Sequence, residues 1–225
     1  MSMPFYVAPE QVMKDRADYA RKGIAKGRSL CAVSYDDGIL FCAENTSNTL
    51  RKISEIYDRI AFAGVGRYSE FDQLRVAGVR HADMKGYAYS REDVDAQSLA
   101  NAYAQMLNHT FTHEMKPMEV EILVAEIGDE RNRDELFHIL YDGSVVDEDR
   151  FSVLGGEADA IAARLDEAWA DDLDLGAALR AAVGALAGEE RTLVADDLEI
   201  AVLARSNGRR KFGRIEGDAL TALLG

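Results

Sequence analysis

The chain has 225 residues, 48% of them hydrophobic and 29% charged, with 3 prolines. That balance excludes a disordered or fibrous protein and allows a full apolar core without disulfide or metal staples. A formal net charge of −14, from 40 acidic and 26 basic side chains, makes the chain a poor partner for nucleic acid or an anionic membrane surface.

No apolar run reaches the ~18–20 residues of a membrane span. The N-terminus also lacks the basic-then-apolar pattern of a secretory signal. Cys31 and Cys42 have no metal-ligand spacing and read as buried thiols of a reducing, cytoplasmic compartment. No metal or cofactor is expected.

Residues 1–8 are short, apolar and aromatic, and read as a mobile tail ahead of a single domain, 9–225. A helix is predicted from Pro9 to about Lys26, stopping at Gly27. Proline suits the first helical position, Glu10 complements the dipole, and Val12, Met13, Ala17, Ala20 and Ile24 recur at helical spacing. Two apolar runs follow, Ser29–Tyr35 and Ile39–Glu44, joined by the hairpin signature Asp36-Asp37-Gly38. Arg51–Ser54 and Arg59–Val65 read as strands with a turn over Glu55–Asp58. Tyr68–Lys85 and Asp93–Thr112 read as helices separated by Gly86–Arg91.

Strands return at Glu119–Ile127, Leu136–Tyr141 and Phe151–Leu154. Helices follow at Glu157–Trp169 and Leu173–Ala187, then a hairpin of Leu198–Ala204 with Lys211–Ile215, and a last helix, Gly217–Leu224. Strands arrive in adjacent runs rather than alternating with helices. That order predicts an α+β layered sandwich of antiparallel sheets with helices on the outer faces.

Three local patterns carry little chemistry. His109 and His113 have the i,i+4 spacing of a zinc pair, but residue 110 is threonine, and a solvated helix end is the better reading. Gly64-Val65-Gly66 stands between a strand and a helix like the start of a dinucleotide fingerprint. A second helix follows instead of a parallel strand, so a tight turn is the plainer reading. The acid pairs Asp36-Asp37, Asp171-Asp172 and Asp196-Asp197 suit turns and helix starts.

Longer stretches are more specific. The run Asp18-Tyr19-Ala20-Arg21-Lys22-Gly23-Ile24-Ala25-Lys26-Gly27-Arg28-Ser29 resembles the first helix and first strand of proteasome α subunits. Arg51-Lys52-Ile53 with Ile56-Tyr57-Asp58, and Lys116-Pro117 followed by Val120–Ala125, are similar to further segments of that family. Pro9-Glu10-Gln11 with Arg21–Ala25 looks like its actinobacterial branch.

The resemblance implies a four-layer α-β-β-α sandwich of two antiparallel sheets, the N-terminal nucleophile hydrolase fold, with an extra N-terminal helix. It also implies a place in the outer seven-membered rings of a proteolytic barrel. The implied partners are copies of this chain, proteasome β subunits, a ring-shaped ATPase activator and unfolded protein substrates in transit.

Within that resemblance the chain reads as non-catalytic. Its β relatives use a free N-terminal threonine, whereas the equivalent strand here starts at Arg28-Ser29 behind a helix. An active N-terminal nucleophile hydrolase using Ser29 after processing is the alternative. A stand-alone nucleotide-binding enzyme using Gly64–Gly66 is more distant. The family's pocket positions fall on Lys52, Asp18, Gly27 and Gly66. Lys52 is expected to receive an activator's C-terminal carboxylate, with Asp18 orienting it and Gly66 admitting a peptide backbone; an ordinary strand-end lysine is the plain alternative. Met3, Phe5, Tyr6 and Val7 are expected to gate the pore. Val12, Ala20 and Ile24 are expected to serve ring assembly, because a helix outside the sandwich has little of its own chain to pack against.

Overall fold

The computed structural model describes residues 8–225 apart from Asn48. Six helices and ten strands follow one another as α1 (Pro9–Ile24), β1 (Leu30–Tyr35), β2 (Gly38–Glu44), β3 (Ile53–Tyr57), β4 (Ile60–Gly66), α2 (Tyr68–Ala88), α3 (Ala96–His113), β5 (Val120–Glu126), β6 (Glu135–Ile139), β7 (Val145–Glu148), β8 (Phe151–Leu154), α4 (Ala158–Ala168), α5 (Leu175–Ala187), β9 (Leu198–Ala204), β10 (Phe212–Ile215) and α6 (Gly217–Leu224). The strands form two five-stranded sheets, ordered β10-β9-β2-β1-β8 and β3-β4-β5-β6-β7, with every neighbouring pair antiparallel.

Three apolar layers separate four layers of secondary structure. The central one, with Phe41, Ala63, Leu123 and Leu203, lies between the sheets. A second joins the first sheet to α4 and α5 through Val33, Leu40, Leu165 and Leu179. A third joins the other sheet to α2 and α3 through Phe62, Leu74, Leu99 and Tyr103. β1 and β2 are covered on both faces, so they are apolar throughout rather than alternating. The expected sandwich is therefore the observed one, and Cys31 and Cys42 are free, buried and paired across β1 and β2. No helix among the described residues is long and apolar enough to cross a membrane.

Several boundaries differ from expectation. α1 ends at Ile24, and Ala25–Gly27 form a closing turn in which Gly27 N donates to Ile24 O at 2.9 Å. β3 runs on through Glu55–Tyr57, past a bulge, and the turn shrinks to Asp58-Arg59. α2 continues through Gly86 to Ala88; a side chain at Gly86 would collide with the Tyr57 hydroxyl, so its absence lets the helix pass. The next helix starts later, at Ala96, because Asp95 caps it, accepting from Ser98 N at 2.7 Å. β7 was not expected: it is a four-residue, largely exposed edge strand paired with β6.

Candidate functional site

The end of the sandwich beneath α1 holds two deeply buried carboxylates, Glu44 and Glu199. Glu199 sits in β9 at 2% exposure, and four donors explain how it is tolerated. It accepts from Lys52 N at 2.8 Å, Ile53 N at 3.2 Å, Asn45 Nδ2 at 2.8 Å and Arg214 Nη1 at 2.9 Å. Glu44, at the end of β2, is equally buried and held by Arg28 and by both oxygens' contacts to Arg191, at 3.1 and 3.2 Å. Both carboxylates are saturated.

Lys52 is not. Its Nζ donates to the Arg28 carbonyl at 2.6 Å, and no carboxylate among the described residues lies within 4.0 Å of it. Burial pulls its pKa down from 10.5 to about 8, with Glu199 opposing and Arg28 adding to the fall. An ammonium with two further donors and no counter-ion, in partly desolvated surroundings, suits an incoming carboxylate.

Gly27 and Gly66 adjoin it. A side chain at Gly27 would press on Gly66 N at 3.1 Å, and Lys52 O accepts from Gly64 N at 3.0 Å. Gly66 has φ of 111°, and a Cβ there would meet the Glu119 carbonyl. The close backbone approach at Gly66 is thus made by the chain's own Glu119. Asp18 does not orient Lys52 within the chain; it stands 3.7 Å from Arg21, one helical turn along α1.

Ser29, the first-strand residue, is an internal residue with an amide nitrogen. Its carbonyl accepts from Glu44 N at 3.2 Å, and Gly155 leaves room for its hydroxyl. The helix before it is anchored, because Ala20 and Ile24 are buried in the central apolar layer.

A family model described as "Proteasome subunit" matches residues 24–203. The chain is 61% identical to the proteasome subunit alpha of Acidimicrobium ferrooxidans over 225 residues, covering all of this chain and 97% of that protein. It is 58% identical to the proteasome subunit alpha of Thermobifida fusca over 227 residues, covering all of this chain and 91% of the relative. For the proteasome subunit alpha of Xylanimonas cellulosilytica the identity is 56% over 232 residues, covering 98% of this chain and 95% of that one. The chain belongs to the family of proteasome α subunits.

Of the residues that the resemblance to this α-subunit family singled out, the structure brings Lys52, Gly27 and Gly66 together and leaves Asp18 apart. Ala20 and Ile24 have their own chain to pack against, so the reason offered for their role in assembly applies to Val12 alone, which is 37% exposed. Met3, Phe5, Tyr6 and Val7 lie outside the described residues. Glu44, Glu199, Arg191 and Arg214 were missed as a network. The signal was there for the acids: Glu199 interrupts the apolar run Leu198–Ala204, and Glu44 ends the apolar run of β2. A charge embedded in an apolar strand implies buried partners.

Proposed function

We propose that this chain is a non-catalytic α subunit of a proteasome core particle. It forms the outer seven-membered rings against β subunits, gates substrate access and docks a ring-shaped ATPase activator in the cytoplasm. The observation that carries the non-catalytic reading is Ser29. Its nitrogen is an amide, and the helix ahead of it is buried through Ala20 and Ile24 rather than poised for removal. Lys52 supports the docking reading, as a half-buried ammonium without a counter-ion among the described residues, beside Gly27 and Gly66.

Negative-stain images of the chain with a β partner test the assembly, and seven-fold rings are expected. The isolated chain should not turn over fluorogenic peptides. Turnover abolished by Ser29→Ala, with a mature N-terminus at Ser29 by mass spectrometry, would instead establish an active hydrolase. Removing residues 1–8 should speed degradation of long unfolded chains by the assembled particle more than that of tripeptides. Equal rates before and after would mean that the tail does not close the pore.

A further inference from the structure

A closed ring of identical chains needs two different surfaces, one on each flank, that fit each other head to tail. The strand orders define the flanks. β7 and β8 are edge strands on one side, where β8 lies against β5 and β6; β3 and β10 are edges on the other, where β3 lies against β9.

On the β3/β10 flank a leucine is held out into solvent. Leu50 is 47% exposed in the loop between β2 and β3. A single exposed leucine is ordinary, but this one is built into position. Asn45 Nδ2 donates to Leu50 O at 2.8 Å, and Leu50 N donates to Ser47 Oγ at 3.0 Å. Ser47 N in turn donates to Asn45 Oδ1 at 3.0 Å. Arg51 and Glu216 form a pair at 3.1 Å beside it.

On the β7/β8 flank there is a cavity of about 660 Å³ between the last turn of α1 and the start of α4. Ile24, Leu140, Tyr141 and Ala160 are among its walls, and charges of both signs rim it: Arg21, whose guanidinium lies 5.6 Å from the Tyr141 ring, and Arg164, with Glu121, Glu157 and Asp159. From α1 and its closing turn the cavity takes Arg21, Ile24 and Ala25, and the Leu50 loop is tied to the residues just beyond through Lys52 and the Arg28 carbonyl.

From this we infer that Leu50 of each chain seats in the Ile24–Tyr141 cavity of the next chain, with Arg51 facing Glu157 and Glu216 facing Arg21. The inference rests on the ring reading above and names the contact that closes the ring. A leucine side chain fills part of the cavity, and the rim offers charges of both signs to Arg51 and Glu216.

The test uses the full chain carrying both Leu50→Cys and Ala160→Cys, produced with its β partner and treated with a short bismaleimide. A denaturing gel should show a ladder of covalent oligomers up to seven chains, while variants carrying only one of the two introduced cysteines, beside the buried Cys31 and Cys42, show none. Seven-fold rings without a ladder would overturn the seat. Covalent dimers alone would replace it with a two-fold contact. Failure of the unaltered chain to form rings with its partner would instead remove the ring reading itself. As a second measurement, Leu50→Ser should raise the concentration needed for ring formation by about tenfold or more without changing the melting temperature of the unassembled chain. Unchanged ring formation would count against the seat.

Discussion

The turn end of the sandwich pairs its arginines within the chain, whereas the α1 end pairs Arg28, Arg191 and Arg214 but leaves Lys52 short. At the turn end, Arg205 grips Asp134 with contacts of 2.7 and 2.9 Å, Arg91 grips Asp58 at 2.6 and 3.0 Å, and Arg210 holds Glu55 at 2.8 and 2.9 Å. Even Lys211 there spends two donors on carbonyls, both at 2.8 Å. At the α1 end, Lys52 spends one donor on one carbonyl and meets no carboxylate among the described residues. The lesson concerns charge saturation. A cation whose partners lie within the chain holds the fold together, and one left short is available to another molecule.

Breaking a saturated pair should produce the largest change. Asp134 is nearly fully buried and ties the β5–β6 connection of one sheet to the β9–β10 turn of the other. Asp134→Ala leaves the mostly buried Arg205 without a carboxylate, and should cost about 3–5 kcal/mol in denaturant unfolding. Replacing both residues by apolar ones of similar size should recover most of that. If the single change costs under about 1 kcal/mol, the pair is not a structural tie.

Within α1 the comparison sharpens to two apolar residues. Ile24→Ala removes a side chain that is 2% exposed and should cost about 2–4 kcal/mol of stability. Val12→Asp alters an exposed position and should change stability by less than about 0.5 kcal/mol, yet weaken ring formation, read by analytical ultracentrifugation. Rings as firm as before would take Val12 out of the assembly surface.

The smallest effect is the pH dependence of Lys52. Its folded pKa, about 8, lies below the ordinary 10.5, so the unfolded chain holds more protons between those values. This group's contribution to stability therefore rises with pH from about 8 to 10.5 and is flat below that window. Binding runs the other way: a carboxylate needs the ammonium, so activator affinity should fall as pH rises past about 8. Lys52→Arg should remove that fall, since guanidinium stays charged. A pH-independent affinity for the unaltered chain would mean that Lys52 does not carry the contact.

Much of the layering was legible because helices and strands here obey their periods. The β1–β2 hairpin announces itself through two apolar runs around Asp36-Asp37-Gly38, and grouped strands imply antiparallel sheets. β7 was invisible because Val145–Glu148 is short, half acidic and exposed, and only pairing with β6 makes it a strand. The site was legible in part. Lys52 and the two glycines came through family resemblance, whereas the saturation of Glu199 depends on residues such as Lys52 and Arg214, which lie far apart in sequence and meet only in the fold. Within one chain Asp18 pairs with Arg21 on its own helix rather than with Lys52.

The central claim is that the unsaturated ammonium of Lys52 receives a partner's carboxylate. The direct measurement compares ATPase-stimulated protein degradation by particles built with Lys52→Ala and with the unaltered chain, at matched ring content. Loss of one charge-assisted contact, about 1.5–3 kcal/mol, should lower activator affinity about tenfold to a hundredfold per site, and more when several pockets engage one ring. Small-peptide cleavage and ring assembly should be unchanged. Undiminished stimulation across activator concentrations would contradict the account and leave Lys52 an ordinary strand-end lysine.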